Sequence, residues 1–225
     1  MSVPFSRRDF LFAAAATLLP SATLAAVPPA QPAAKKKLAV VLGGGSARGF
    51  AHIGVIKALE NAGIRPDLIV GCSAGSLVGA FWAAGFTGAQ MEGTALRVQD
   101  SEIIDLVSGK TQYGLVGGRS LQNFVNQYLM NTPIERLKIP FATVATEFPS
   151  GDLTVFSQGD TGFAVRASCS IPGVFIPASL NNKDYVDGGL ISPIPVATAR
   201  ALGANLVVAV DVGGQTRYAT YTSGS

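Results

Sequence analysis

The sequence predicts an α/β fold built on a mainly parallel sheet. Short continuous apolar runs, such as residues 38–42 and 68–70, are typical of strands buried on both faces. Each run is followed by a loop of small residues and then by a helical pattern, which is the alternation that produces parallel sheets. Apolar residues make up 48% of the 225-residue chain and charged residues 14%, which excludes a disordered protein and allows one domain with a full core.

The first residues form a targeting segment that precedes the fold. Residues 6–11, SRRDFL, match a twin-arginine export signal, and an Ala/Leu-rich run ending in small residues follows. We therefore predict a signal peptide over residues 1–26, cleaved after Ala25 or Ala26, and a periplasmic or otherwise exported protein that uses the export machinery for folded proteins. The alternative is an uncleaved membrane anchor, but Pro20 and the shortness of the apolar run oppose a spanning helix.

The rest of the chain divides into a linker, one domain and a tail. Residues 27–37 are a Pro/Ala/Lys linker, residues 38–214 form the domain, and residues 215–225 are a polar tail. Residues 87–131 are predicted to be mainly helical, with a glycine-rich break at 114–118. The predicted strands are 38–42, 68–70, 141–145, 153–156 and 206–210, and the other predicted helices are 50–61, 74–84 and 196–202. Residues 181–184 are predicted to form a turn that leads into residues 185–187.

Charge and cysteine content narrow the classes of partner. The formal net charge is +3 and no long basic stripe is present, so we predict no nucleic-acid partner. The single lysine run, Lys35–Lys37, suits a solvated linker, and contact with a membrane surface is the alternative. Cys72 and Cys169 both lie in apolar, small-residue motifs, which favours buried free thiols over a disulfide.

The pentapeptide GCSAG at residues 71–75 indicates a nucleophilic serine. It follows an apolar strand and opens a helix, and this placement is what gives a Gly-x-Ser-x-Gly motif its meaning. On such a sharp turn Ser73 exposes its hydroxyl, while the flanking glycines allow strand and helix to pass close together. The start of the helix favours negative charge developing at the serine.

The glycine-rich loop GGGSARG at residues 43–49 follows the first strand. Its backbone N–H groups can approach a ligand closely, as the oxyanion of an acyl-transfer reaction requires. A dinucleotide loop is excluded because Arg48 occupies the third glycine position, and a phosphate P-loop is excluded because no Gly-Lys-Ser/Thr follows. Arg48 either steadies the loop or contacts an anionic head group.

The base that activates the serine is identified by elimination. His52 is the only histidine and precedes Ser73, so the order Ser, acid, His of an α/β-hydrolase is impossible. His52 is then interpreted as a packed structural residue, with an unusual triad as the alternative. Among the carboxylates, Asp187 precedes two glycines that leave it uncrowded, and Asp211 at the end of the last strand is the second candidate. Asp184 belongs to a polar, solvated turn.

Together these motifs resemble the patatin-like phospholipases. The resemblance covers residues 38–213 and includes the two loops above, the segment RASCSIPGVFIP at 166–177 and DGG at 187–189. It implies a three-layer α/β/α sandwich and a Ser-Asp dyad without metal or cofactor. Ser73 would attack, Asp187 would accept the proton, and the N–H groups of Gly43, Gly44 and Gly45 would bind the oxyanion.

The resemblance also implies a class of substrate, namely acyl esters that include those of phospholipids. Two alternatives are an esterase for small soluble esters and a non-catalytic lipid-binding envelope protein. Intact Ser73 and Asp187 oppose the second alternative. Phe175 and Ile176 either line an acyl channel or pack in the core.

Overall fold

A mixed seven-stranded sheet forms the centre of the computed structural model, which describes residues 36–107 and 114–213. The predicted signal peptide, most of the linker and the polar tail lie outside the described residues. The strand order is β5-β6-β3-β2-β1-β7, and β4 also pairs with β3. The strands are β1 (Leu38–Leu42), β2 (Leu68–Cys72), β3 (Phe141–Phe148), β4 (Leu153–Phe156), β5 (Ala178–Leu180), β6 (Lys183–Asp187) and β7 (Leu206–Val210).

Helices connect these strands and cover the sheet. Short 3-10 turns occur at Ser46–Phe50, Ile134–Arg136 and Gly188–Leu190. The α-helices are α1 (Ala51–Asn61), α2 (Ala74–Ala84), α3 (Gly88–Ala95), α4 (Asp100–Ile103), α5 (Arg119–Tyr128), α6 (Thr161–Cys169) and α7 (Val196–Ala201). Among the described residues, no helix has the length and apolarity needed to cross a bilayer.

Side chains of β1 alternate between two separate cores on the two faces of the sheet. Val40 and Leu42 of β1 pack into the larger core, to which α1, α2, α3, α5 and α6 contribute. Ala39 and Val41 of the same strand face the smaller core, which α7 covers. This period of two places helices on both faces and confirms the predicted three-layer sandwich. It also explains why β1 appears in the sequence as one continuous apolar run.

The sheet is parallel in its centre and antiparallel towards one edge. β1 pairs in parallel with β2 and β7, and β2 pairs in parallel with β3, in agreement with the prediction of a mainly parallel sheet. β4 and β6 run antiparallel to β3, and β5 runs antiparallel to β6. Three elements were absent from the sequence prediction, namely helix α6, β5 and β6, whose first residues were predicted to form a turn. All three follow the predicted strand β4, and α6 supplies contacts to the site.

The registers along β3 bring two strand ends together. Thr143 and Val144 pair with β2 and with β4, which must therefore lie on opposite edges of β3. Ala145 and Thr146 pair with β4 and with β6, so β6 lies on the same edge as β2. β2 arrives in parallel and β6 arrives antiparallel, and their C-terminal ends meet beside the middle of β3. Ser73 directly follows the C-terminal end of β2, and Asp187 is the C-terminal residue of β6.

Candidate active site

Ser73 occupies a strained turn between β2 and α2. Its backbone has φ 50° and ψ −125°, a region that residues other than glycine rarely adopt. A Cβ on Gly75 would lie 2.1 Å from the carbonyl oxygen of Leu42, and one on Gly71 would lie 2.5 Å from Cα of Ser76. Both flanking positions therefore require glycine because backbone passes directly over them.

Asp187 contacts the Ser73 hydroxyl directly. Ser73 Oγ donates a hydrogen bond of 2.6 Å to Asp187 Oδ2, and both residues are buried. The other carboxylate oxygen, Oδ1, accepts the N–H of Gly189 at 2.6 Å. A Cβ on Gly188 would lie 2.3 Å from the Val144 carbonyl oxygen, so only glycine lets the chain turn here. The two glycines after Asp187 thus serve to orient its carboxylate.

Burial raises the pKa of Asp187 above its ordinary value of 3.8. The hydrogen bonds from Ser73 and Gly189 oppose this shift but do not cancel it. A carboxylate with a raised pKa is a stronger base than an exposed aspartate. The environment of Asp187 therefore suits the removal of a proton from Ser73.

The C-terminal end of α6 contacts both members of the pair. Ser168 Oγ accepts the N–H of Ser73 at 2.8 Å, and the Ser170 carbonyl accepts the N–H of Asp187 at 2.9 Å. Both serines are fully buried. The sequence prediction included this segment only as part of a family motif. Asp160, which caps α6 by accepting the N–H of Phe163, is the signal that could have revealed the helix.

The glycine loop lies over the nucleophile, but two of its amides are already bonded. A Cβ on Gly44 would lie 3.5 Å from Cβ of Ser73, which places the loop beside the hydroxyl. Gly43 N–H donates to the Val210 carbonyl at 3.0 Å and Gly44 N–H donates to the Pro193 carbonyl at 2.9 Å. The predicted oxyanion role therefore does not hold for the amides of Gly43 and Gly44 in this structure. Among the three predicted donors, the amide of Gly45 makes no such bond within the described residues.

The other charged residues that the sequence suggested for the site take no part in the hydrogen bond between Ser73 and Asp187. Arg48 donates to the Gly213 carbonyl at 3.1 Å and so ties the loop to the segment that follows β7. Asp211 accepts the N–H of Gly213 at 2.8 Å, which is the role of a turn cap. Asp184 is exposed and bonds to the Ser179 hydroxyl. Of the two aspartates considered as base, the structure brings Asp187 to Ser73.

Comparison with known proteins shows the family of the chain. The family model described as patatin-like phospholipase matches residues 40–200, which is more than half of the chain. The chain belongs to the patatin-like phospholipase family. The matched residues include the glycine loop, the serine turn and the end of β6, so the three parts of the site all lie within the family domain.

Curated relatives of this patatin-like domain are longer proteins. An uncharacterized NTE family protein of Mycobacterium tuberculosis is 34% identical over 177 residues, covering 76% of this chain and 47% of the relative. Human patatin-like phospholipase domain-containing protein 6 is 35% identical over 180 residues, covering 76% of this chain and 13% of the relative. The chain thus spans less than half the length of these relatives. The crystal structure of VipD from Legionella pneumophila shares the fold, with a TM-score of 0.56 and 14% identity, covering 69% of this chain and 46% of VipD.

His52 of the patatin-like domain is buried beneath the glycine loop. Its Nε2–H donates to the Gly43 carbonyl at 2.8 Å, while Nδ1 has no hydrogen-bond partner among the described residues. Burial lowers the pKa of His52 below its ordinary value of 6.5, so the ring is neutral at neutral pH. The hydrogen bond joins His52 to the loop backbone, and Asp187 is the residue that accepts the Ser73 hydroxyl.

We expect His52→Gln to keep most of the specific activity, because a glutamine amide can also donate to the Gly43 carbonyl. The variant should also lose less stability in acid. Protonation of His52 is favoured in the unfolded chain, so wild type loses stability as the pH falls through 6.5, and glutamine lacks this loss. Ester hydrolysis and thermal melting across pH check both points. An activity loss of about a thousandfold in a folded variant would restore the histidine triad.

Cys72 and Cys169 are free thiols, as predicted. Burial raises the pKa of both thiols, that of Cys169 to about 12, so neither is ionised at neutral pH. Cys169 Sγ lies 3.7 Å from the Ser76 hydroxyl, next to the nucleophile turn. The thiols therefore contribute small apolar packing around the site.

An apolar cleft opens beside the first turns of α2. Leu77 lies one helical turn from Ser73, whose carbonyl accepts its N–H at 3.3 Å, and it belongs to the cleft wall. The cleft is open to solvent, and the empty space in and at the mouth of the cleft is about 460 Å³. Its lining is almost entirely apolar: Phe50, Ile53, Leu77, Val78, Phe81, Met91, Thr94, Ala95, Val98, Ile103 and Phe124. Phe175 and Ile176, the sequence-based candidates for a channel, are not part of this lining.

Proposed function

We propose that this protein is a serine acyl hydrolase that cleaves ester bonds of lipids through the pair Ser73 and Asp187. The observation that carries the proposal is the 2.6 Å hydrogen bond from Ser73 Oγ to a buried carboxylate with a raised pKa. A serine hydroxyl needs a group that takes its proton during attack, and this carboxylate is within reach without rearrangement. Membership of the patatin-like phospholipase family supports the same reaction class.

The reaction then runs in two halves. Asp187 takes the proton of Ser73 as Oγ forms a bond to the acyl carbon, and a tetrahedral oxyanion results. The ester bond breaks when this intermediate collapses, and the departing alkoxide receives the proton from Asp187. In the second half Asp187 takes a proton from water, whose oxygen attacks the acyl-enzyme, and the carboxylic acid leaves as Ser73 regains its proton.

Backbone groups near Ser73 would stabilise the oxyanion. Of the three predicted donors, the Gly45 amide is the one that makes no backbone hydrogen bond within the described residues, and Ser73 lies at the N-terminus of α2. Donors aimed at the developing charge typically contribute about 3 kcal/mol each to lowering the barrier. The bonds from Gly43 and Gly44 to the carbonyls of Val210 and Pro193 would fix the loop that carries Gly45.

The apolar cleft supports a substrate with a hydrocarbon chain. It begins one helical turn from Ser73 and contains Thr94 as its one polar lining residue, which suits an acyl tail and offers little to a polar group. A relative from Yarrowia lipolytica named lysophospholipase NTE1, 32% identical over 175 residues, points to the same substrate class; the alignment covers 75% of this chain and 12% of the relative. We therefore assign the cleft to the acyl chain of a lipid ester.

Acyl-chain preference tests this assignment. We expect wild type to prefer p-nitrophenyl esters of long acyl chains over those of short chains. Ala95→Phe should fill part of the cleft and reduce kcat/KM for long chains by about tenfold while sparing short ones. Ala62→Phe, at an exposed position after α1, is the matched control and should behave as wild type.

Two outcomes of these assays would contradict the proposed function, and each would favour one of the two alternative functions. A wild-type preference for acetyl and butyryl esters would favour the esterase for small soluble esters. Inertness towards every ester and towards a panel of phospholipids would favour the lipid-binding envelope protein. Identification of the fatty acid and the lysolipid released from each phospholipid would give the head-group and positional preference.

We also propose that the protein is exported through the twin-arginine route, on the basis of Arg7 and Arg8 ahead of an apolar run. Replacing both arginines with lysine should leave the uncleaved precursor in the cytoplasm, because this route requires the arginine pair. Cell fractionation with immunoblotting measures the distribution. Normal delivery of the double variant to the periplasm would contradict the proposal.

A further inference from the structure

The carbonyl oxygen of Ser73 accepts several hydrogen bonds, whereas its N–H group donates a single one. On the carbonyl side, its oxygen accepts Ser76 Oγ at 2.6 Å and the N–H groups of Ser76 and Leu77 at 2.8 and 3.3 Å. On the amide side, its N–H makes one hydrogen bond among the described residues, to Ser168 Oγ at 2.8 Å. Loss of one carbonyl-side bond leaves others in place, whereas loss of the Ser168 hydroxyl leaves a buried N–H unpaired.

The strain at Ser73 makes this single bond important. A residue other than glycine at φ 50° persists only where neighbours hold it, because the conformation is unfavourable by itself. The carbonyl-side bonds all come from α2 itself, the helix that Ser73 precedes, and so move together with it. Ser168 lies 95 residues away on α6 and fixes the turn to a separate element.

The same end of α6 also fixes the base. The Ser170 carbonyl accepts the N–H of Asp187, two residues after Ser168 accepts the N–H of Ser73. A single segment therefore sets both the position of the nucleophile and the position of its partner. The 2.6 Å contact between the two side chains depends on this spacing.

We propose that Ser168 is a positioning residue that holds Ser73 in its strained conformation and so aims the hydroxyl at Asp187. The inference rests on the proposed function, in which Ser73 and Asp187 react. Ser168 does not touch substrate; it acts through the Ser73 amide. The hydroxyl oxygen is the feature that matters, because alanine keeps the backbone of α6 but offers no acceptor.

Ser168→Ala should lower kcat for ester hydrolysis by roughly 10- to 100-fold and leave KM within about twofold, because a small displacement of a nucleophile costs rate rather than binding. The acidic limb of the pH profile should also move to higher pH. The Ser73 hydroxyl lowers the pKa of Asp187, so a hydroxyl that turns away leaves that pKa higher. A merely structural role for Ser168 would not move this limb.

Thr161→Val is the matched control on the same helix. Thr161 is buried and its hydroxyl donates to the Thr132 carbonyl at 2.7 Å, so the variant also loses one buried side chain to backbone bond. It should lose stability comparably to Ser168→Ala and keep the wild-type kcat per folded molecule. If Ser168→Ala does not fold, Ser168→Cys replaces it, since sulfur fills the space but accepts the amide weakly, and kcat should again fall.

An NMR titration of the Asp187 carboxyl carbon separates this inference from the proposed function. The titration needs no substrate, so it gives the pKa of Asp187 even if the wild type hydrolyses no ester. A higher pKa for Asp187 in Ser168→Ala than in wild type supports the positioning role. An unchanged Asp187 pKa, or a kcat in Ser168→Ala that matches the Thr161→Val control in an active enzyme, would overturn it.

Discussion

Asp187→Asn should reduce ester turnover by roughly 10²- to 10⁴-fold, the range typical for loss of a general base. The reason is chemical rather than geometric. An asparagine oxygen can still accept the N–H of Gly189, and its NH₂ group can donate to Ser73 Oγ in place of the present bond. The amide cannot take a proton, so kcat should fall while KM changes little. Steady-state hydrolysis of a p-nitrophenyl ester measures both.

Combining this change with Ser73→Ala tests whether the two residues act as one unit. Groups that act together in one step show strongly non-additive losses. The double variant should therefore be barely slower than Ser73→Ala alone. A further loss close to that of Asp187→Asn by itself would indicate that Asp187 acts through another group.

We expect Asp187→Asn to be less active than wild type but no less stable at alkaline pH. Burial raises the pKa of Asp187, so the folded state favours the neutral carboxyl and ionisation costs stability as the pH rises through that pKa. The asparagine side chain of the variant carries no charge and escapes this cost. Thermal melting should therefore show Asp187→Asn at least as stable as wild type at about pH 8, with the difference shrinking as the pH falls towards the ordinary aspartate pKa of 3.8. A lower melting temperature than wild type in the alkaline range would contradict this interpretation of the buried charge.

Gly44→Val should abolish most turnover while leaving the fold intact. The new Cβ would lie 3.5 Å from Cβ of Ser73 and 3.8 Å from Cys72 Sγ, which are ordinary contacts. Its two methyl groups would extend over the nucleophile and occupy space that the substrate needs. Hydrolysis should fall by a factor of about 100 or more, since misplacing a reacting group by about 1 Å already costs that much.

Gly54→Val is the matched control for this substitution. Gly54 lies on the exposed face of α1, and a Cβ there would meet nothing within 4 Å. The control adds the same side chain ten residues further along the chain, on α1, and should keep wild-type turnover. Unchanged turnover in folded Gly44→Val would show that the loop lies away from the reacting bond.

Local sequence patterns predicted the parallel centre of the sheet and the turn at Ser73. The strands β1 and β2 are buried on both faces, so they appear as uninterrupted apolar runs that need no knowledge of their partners. Gly71 and Gly75 are likewise fixed by backbone within the βαβ unit, at Ser76 and Leu42. These features could be predicted because their causes are close in the chain or repeat along it.

Features that depend on distant pairing were harder to predict. The antiparallel direction of β6, which brings Asp187 to Ser73, is set by its pairing with β3 about 40 residues earlier. Helix α6 lacks a clear apolar stripe, because its buried face consists largely of small and polar residues such as Ser168 and Arg166. The bond from the Gly44 amide to the Pro193 carbonyl joins residues nearly 150 positions apart, and no motif predicts it.

The most direct test of the Ser-Asp pair is the site and rate of covalent labelling by a fluorophosphonate. Intact-protein mass and peptide mapping would follow one adduct on the folded wild type, on Ser73→Ala and on Asp187→Asn. We predict a single adduct on Ser73 in wild type, none on Ser73→Ala, and labelling of Ser73 that is slower by at least about 100-fold in Asp187→Asn. An adduct on a different residue, or labelling of Asp187→Asn at the wild-type rate, would contradict the account.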